Sequence, residues 1–435
     1  MARLKKNETV KTIDGQTIKV FEILGSGGQG IVYKVNYAGK KYALKWYKKP
    51  MDRAFYENLA ENIKRGSPAK TFLWPLAITE KTHDGSFGYV MELCPKKYKP
   101  LSQFLLNNVK FNNLSAMVNA GLQITASFRA LHSMGDSYQD LNDGNFFIDP
   151  KTGNILICDN DNVAPNRVNL GILGKPRYMA PEVVCQNCLP DTYSDRFSLA
   201  VILFLLFFRG HPLEGKLDNC DRDDNEKSLF CKKPIFVFDP RDNSNRPKEL
   251  IHKNVSFLWN VYPPFVRNMF IKAFDKNVMN SNGNGREDRV MEKEWVKMFQ
   301  KLRHSIITCP ECGEETFFNM KKDNHICMNC NVNLKRPPVL AIRDELIPLQ
   351  EGNLLYSYEI DENRELTIET IGEIWAQVIP NPKKPGIIGL KNISAVPWYR
   401  HTPGGKEFVC EPNKQVTIIR SNTIKFGTKG EGSFV

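Results

Sequence analysis

Four glycines and a serine cluster in Leu24-Gly25-Ser26-Gly27-Gly28-Gln29-Gly30-Ile31-Val32, and Ala43-Leu44-Lys45 follows on the next apolar run. Glycines without side chains let backbone N–H groups approach phosphate oxygens closely. A dinucleotide-binding turn would open a helix at once, whereas the segment that follows here, Ile31-Val32-Tyr33-Lys34-Val35, reads as a strand. Further along, Asp140 and Asn145 stand five residues apart, and Asp159 follows the buried-looking run Ile155-Leu156-Ile157-Cys158. Carboxylate and amide oxygens suit a divalent cation, and a carboxylate can also take a proton from a hydroxyl. A third constellation is sulfur. Cys309, Cys312, Cys327 and Cys330 form CxxC-x14-CxxC, a spacing at which four thiolates close a tetrahedral Zn²⁺ site. Such a site has no open position, so its role is structural, and the neighbouring His325 is surplus.

These residues need elements to position them. Residues 17–48 are rich in Val, Ile, Tyr and Phe and read as strands around the glycine cluster; residues 52–65 have helical apolar spacing (Phe55, Leu59, Ile63) ended by Gly66. Helical patterns dominate from about 114 to 304, interrupted by a polar stretch at 212–255 that reads as a surface insertion. After Pro337 and Pro338 come short strands with turn signals, which predict a small all-β domain. With 435 residues, 41% hydrophobic and 25% charged, the chain has the composition of a soluble protein of two or three domains. The longest apolar run, Phe197 to Phe208, is too short to span a bilayer. No apolar stretch follows the first basic residues, so no signal peptide is expected. Eleven cysteines, an odd number with two CxxC pairs, favour a reducing compartment and metal binding over a disulfide framework. A cytoplasmic protein without a membrane segment is expected.

The net charge of +12 lies on the first 306 residues, since residues 307–435 hold 15 basic against 16 acidic side chains. Within 307–336 the count is four of each, with no basic stripe, which argues against nucleic-acid binding by the cysteine segment.

Taken in order, the glycine loop, Ala43-Leu44-Lys45, Tyr138-Gln139-Asp140-Leu141-Asn142-Asp143-Gly144-Asn145, Asp159-Asn160-Asp161, Tyr178-Met179-Ala180-Pro181-Glu182 and Asp195 before the apolar run resemble the eukaryotic-like Ser/Thr protein kinases over roughly residues 15–304. The resemblance implies an α+β, bilobal protein-kinase fold over residues 1–306 (N-lobe about 15–94, C-lobe about 95–306), here followed by a zinc ribbon at 307–336 and a β-sandwich at 337–435. It implies ATP with Mg²⁺ (or Mn²⁺) and a protein substrate. Leu24, Gly25, Ser26, Gly27, Gly28, Gly30 and Val32 would cover the nucleotide. Ala43 and Val32 would sandwich adenine, Met91 would lie behind it, and the backbone of Glu92 to Cys94 would bond it. Lys45 would hold the α- and β-phosphates, fixed by Glu57 or Glu61 of the following helix, with Glu57 preferred. Asp140 would orient the substrate hydroxyl, Asn145 and Asp159 would hold Mg²⁺, and Arg289 would pair with Glu182. The insertion and the ribbon look like a bacterial subgroup, some of whose members are encoded beside metal-dependent phosphatases and von Willebrand-type proteins in stress or defence clusters, so partners of those kinds are implied. The ending VTIIRSNTIKFGTKGEG faintly resembles a forkhead-associated sandwich, without the Arg and Ser-x-x-His that phosphothreonine recognition needs.

The pattern departs from the family in several places. Gln139 replaces an arginine and cannot pair with a phosphate. Residues 159–182 contain no Ser or Thr, with Tyr178 the one hydroxyl. Together these predict a kinase not switched on by Ser/Thr phosphorylation of that segment. Asn142 replaces a lysine and Lys175 a threonine that usually lies against it, which predicts that Lys175 supplies the missing cation. Asn160 replaces a core phenylalanine and, if buried, needs hydrogen-bond partners. The rival is a pseudokinase scaffold. Cys185, Cys188, Cys220 and Cys231 are expected to be free buried thiols, with a second Zn²⁺ site as the alternative.

Overall fold

The computed structural model describes residues 3–171, 174–218, 228–381, 384 and 386–435. Alternation sets the first sheet: along Thr17–Ser26 (β2), Ile18 and Val20 point to the core and their neighbours to solvent. With Thr9–Lys11 (β1), Gly30–Tyr37 (β3), Lys40–Tyr47 (β4), Ala77–Ile78 (β5) and Gly88–Met91 (β6) it forms a sheet of order β1-β2-β3-β4-β6-β5. The sheet begins at Thr9, ahead of the lobe start expected near residue 15, because Thr9 pairs with Lys19. Helix α1 (Arg53–Arg65) lies between β4 and β5. The Asp52 side chain caps it by accepting from the Phe55 N–H at 2.7 Å, and Gly66 ends it at φ 81°, where a side chain would be strained.

The second lobe is helical. Its centre is Thr192–Phe208, in which every residue from Phe197 to Phe208 is buried. A helix apolar on all sides belongs inside a core. Among the described residues no helix is long and apolar enough to cross a membrane. The helix Leu114–Ser133 crosses this centre at Gly121, where a Cβ would lie 2.9 Å from the Phe207 and Phe299 rings.

The insertion corrects the cysteine expectation. Cys185, just after the short helix Pro181–Val184, is joined to Cys231 by a disulfide with Cα atoms 5.5 Å apart. The turn Ser228–Lys232 packs against that helix and brings the sulfurs together, so a second four-cysteine metal site loses two ligands. Cys188 is a free thiol, and Cys220 lies outside the described residues.

Beyond residue 305 the regular elements among the described residues are strands, apart from the short helix Ser357–Ile360. Two small hairpins, Ile306–Thr308 with Glu315–Phe317 and Asn324–Ile326 with Asn333–Lys335, carry one cysteine pair each. A six-stranded and a four-stranded sheet follow, and Leu340, Leu355, Val378, Leu390, Trp398 and Phe434 from both share one core. This C-terminal part is fastened to the helical lobe. Tyr358, Leu366, Ile368 and Ile371 join the helical core, as does Phe317. The buried Glu359 carboxylate accepts from His304 at 2.8 Å and from Arg303. Glu315 accepts from the Ser115 N–H at 2.6 Å and its hydroxyl at 2.7 Å, at the start of the helix Leu114–Ser133.

Candidate active site

The glycine loop is a hairpin: β2 and β3 pair as far as Ser26 with Ile31, and the Gly27 N–H donates to the Gly30 carbonyl at 2.9 Å. Gly30 is demanded by packing, since a Cβ there would meet the Trp46 carbonyl oxygen at 2.7 Å. Gly25, Gly27 and Gly28 are not: a Cβ on any of them would meet nothing within 4 Å. Three glycines with no internal reason to be glycine leave a bare backbone facing open space, the surface a phosphate chain requires. Leu24 is exposed at the rim. Deeper in the cleft, Ala43 pairs across the sheet with Met91, and both share a cluster with Val32, Leu93 and Leu170. Glu92 and Cys94 follow on the chain, with Cys94 half-buried.

Lys45 sits beside Tyr89 in the β4–β6 register, and its side chain is 5% exposed. Its ammonium donates to both oxygens of Asp161 at 2.9 and 3.0 Å, to Asp159 at 3.3 Å and to Gln29 at 3.4 Å. Burial lowers its pKa, but the Asp161 and Asp159 carboxylates more than offset this and hold it above the usual lysine value. Glu57 does not meet Lys45. It lies on the outer face of α1, 58% exposed, and takes a hydrogen bond from Arg53 at 2.6 Å; Glu61 is equally exposed beside Lys64. The physical reason is the helix phase. α1 turns Phe55, Leu59 and Asn62 inward, and Asn58 and Asn62 donate to the Val163 carbonyl at 2.8 and 2.7 Å, so the inward positions carry amides.

The tight turn Asn160–Asn162 presents Asp159 and Asp161 together. Asp159 precedes it at φ 56°, a left-handed backbone that swings its carboxylate toward Lys45. Asn160, fully buried where an aromatic ring was the family expectation, donates to the Leu73 and Ile157 carbonyls at 2.9 Å. Sequence reasoning passed over Asp161, Tyr47 and Tyr89. Tyr47 and Tyr89 donate to Asp161 at 2.5 and 3.1 Å. The signal was available: Tyr47 is two residues after Lys45 on the same strand, hence on the same face.

Asp140 lies on the loop after Tyr138. The Tyr138 and Gln139 N–H groups donate to Asp195 at 2.5 and 3.1 Å, which anchors this loop to the central helix. Asn145 donates to the Asp140 backbone carbonyl at 2.9 Å, so its amide oxygen is the end left for a cation. Asn142 and Asn162 donate to the two Asp140 carboxylate oxygens at 3.3 and 3.4 Å. Burial pushes the Asp140 carboxyl up to about 6, opposed by the Asn142 hydrogen bond, reinforced by Asp159 and opposed again by Lys175. Lys175 donates to Asn142 at 3.1 Å. Gln139 donates to the Val168 carbonyl at 2.6 Å, and Tyr178 is only 3% exposed. Arg289 grips Glu182 with two bonds of 2.8 Å.

The four cysteines of the paired hairpins present sulfurs all within 4.8 Å of one another, with Cys309–Cys330 at 3.7 Å and Cys312–Cys327 at 3.9 Å. Tetrahedral Zn²⁺ with Zn–S near 2.3 Å separates its sulfurs by about 3.8 Å, so the donor set fits that ion. Each pair is followed by a left-handed residue, Gly313 (φ 72°) and Asn331 (φ 60°), which turns the chain back over the sulfurs.

A family model described as "Protein kinase domain" matches residues 18–261. Among similar curated proteins, CBL-interacting serine/threonine-protein kinase 15 of Arabidopsis thaliana is 29% identical over 227 residues, 47% of this chain and 49% of its own. Protein kinase gsk31 of Schizosaccharomyces pombe is 26% identical over 212 residues, 47% of this chain and 54% of its own. R831 of Acanthamoeba polyphaga mimivirus, named as a serine/threonine-protein kinase/receptor, is 25% identical over 217 residues, 47% of this chain and 13% of its own. The chain thus spans about half or less of the length of these relatives.

Proposed function

Because the chain belongs to the protein kinase domain family, we propose that it transfers the γ-phosphate of ATP to a Ser or Thr hydroxyl of a protein substrate. One observation carries this reading: Lys45 bonds Asp159, Asn145 bonds Asp140, and Asp159 and Lys45 both act on the Asp140 carboxyl, beside a glycine hairpin in which Gly25, Gly27 and Gly28 serve no packing need. Asp140 orients the attacking hydroxyl and takes its proton as the bond from the γ-phosphorus to the β–γ bridging oxygen breaks. Lys45 and the glycine loop hold the phosphates; Ala43, Val32, Met91 and the Glu92–Cys94 backbone receive adenine. Asn145 and Asp159 would hold Mg²⁺ or Mn²⁺, which neutralises phosphate charge when bound.

Lys175 replaces the loop cation that Asn142 cannot supply, a reading supported by their hydrogen bond. Lys175→Ala should lower kcat by on the order of 10²–10³; unchanged kcat would remove Lys175 from the mechanism. The activation segment works unphosphorylated: its one hydroxyl, Tyr178, is buried, and Gln139 reaches that segment through a neutral amide. Mapping an essential phosphate to Tyr178 would refute this.

Residues 1–306 form the catalytic unit in this reading. Zn²⁺ on Cys309, Cys312, Cys327 and Cys330 is a structural staple at 307–336. The sandwich at 337–435 is a docking or regulatory module, supported by the Glu359 anchor to His304 and Arg303 at the end of the helical lobe. The deciding experiment is labelled phosphate transfer from Mg²⁺–ATP to a generic protein acceptor. Label in the parent that vanishes in Asp140→Ala and Asp159→Ala establishes the enzyme. No label with nucleotide bound makes it a scaffold.

A further inference from the structure

Lys45 needs a fixed carboxylate to keep its charge in a buried site, and α1 supplies none: Glu57 and Glu61 are turned to solvent. The acid that meets Lys45 with both oxygens is Asp161, fully buried, from the same turn that presents Asp159. Its remaining acceptor capacity is taken by Tyr47 on β4 and Tyr89 on β6. Two hydroxyls and an ammonium from one sheet thus converge on a carboxylate from the other lobe. We propose that Asp161 is the positioning residue for Lys45, replacing a glutamate of helix α1, so that the lysine is set by the metal-binding turn rather than by the placement of α1.

The consequence concerns regulation of the proposed kinase site, on which this inference rests. Where an α1 glutamate holds the lysine, shifting the helix uncouples the lysine and switches the site off. Here a shift of α1 removes no counter-ion from Lys45. α1 is tied to the same turn through amides, Asn58 and Asn62 to the Val163 carbonyl, and neither amide touches the lysine. Nucleotide holding and metal holding become one unit, Lys45–Asp161–Asp159, assembled whenever the turn is in place.

The test is a double-mutant cycle on the full chain, read as the Kd for Mg²⁺–ATP by calorimetry and, in parallel, as phosphate transfer. Asp161→Asn should weaken binding at least tenfold and lower kcat/KM at least 10²-fold. Glu57→Gln and Glu61→Gln should each stay within twofold of the parent in both. In a Lys45→Met background, Asp161→Asn should change Kd less than twofold, because it acts through the lysine; a merely structural role would weaken both backgrounds alike. Should Asp161→Asn fail to fold, Tyr47→Phe and Tyr89→Phe take its place, with three- to tenfold weaker binding expected in the Lys45 parent and none in Lys45→Met. Equal losses in both backgrounds, or a Glu57→Gln loss matching that of Asp161→Asn, overturn the proposal. A parent that binds nucleotide without transferring phosphate refutes the enzyme reading alone, since the binding cycle still decides the pairing.

Discussion

Two buried ion pairs hold the catalytic region, and they differ in what they join. Arg289 and Glu182 lie within the helical lobe, each at most 2% exposed, with Arg289 also donating to the Val278 and Tyr193 carbonyls. Lys45 and Asp161 bridge the sheet lobe and the turn at the head of the helical lobe, and Asp159 beside them is 39% exposed. The first pair is sealed and fully hydrogen-bonded. The second opens at one side onto the cleft. A sealed pair serves stability, and losing one partner strands a charge in low dielectric. A pair beside a partly exposed carboxylate keeps its ammonium charged next to the cleft.

The sharpest way to break that contrast is Arg289→Ala, which should cost about 3–5 kcal/mol of stability, read by denaturant unfolding. A loss under about 1 kcal/mol would show that the pair is not sealed in solution. Next is pH. His132 is buried between Asp195 at 3.1 Å and Glu292 at 2.8 Å, and these carboxylates raise its pKa to about 9 against the cost of burial. The folded state therefore binds the proton more tightly than the unfolded chain. The stabilisation is complete below about pH 6.5 and drains away as pH rises through about 9. It amounts to roughly 3 kcal/mol at most. Thermal melts should show that decline, and His132→Gln should flatten it; an unchanged slope would remove His132 as its source. Third, Glu315→Ala deprives Ser115 of its acceptors and should destabilise by about 1–2 kcal/mol, leaving the zinc content of the purified protein unchanged. Zinc lost together with Glu315 would tie the cysteine site to this contact. The smallest effect belongs to Glu57→Gln, an exposed partner of Arg53, which should change stability by less than about 0.5 kcal/mol.

Those two pairs also mark how far the residues could be read in one dimension. Glu182 with Arg289 was legible, because a glutamate after Ala-Pro and an arginine ahead of the last lobe helix fill a known pattern. The glycine hairpin, the α1 limits at Asp52 and Gly66 and the buried Phe197–Phe208 helix were legible too, since each depends on local spacing and on backbone preference. The disulfide was not, because Cys185 and Cys231 are 46 residues apart and the path between them is a tertiary matter. The expectation for Glu57 follows the family pattern and not the helix phase: Glu57 stands two residues from both Phe55 and Leu59, the inward positions, and so falls on the outer face. Only the inward packing of Phe55, Leu59 and Asn62 settles which face meets the cleft.

By itself the sequence determined the chemistry on offer: which carboxylates, amides, glycines, thiols and cations exist, and which lie close enough along the chain to act through one turn or one strand face. Tertiary structure alone decided who meets whom across lobes. Lys45 and Asp161 are 116 residues apart and are brought within 3 Å by the stacking of a sheet on a turn. Pairing of that kind follows from burial, where a charge takes whichever partner the packed fold leaves beside it, and no local pattern encodes that choice.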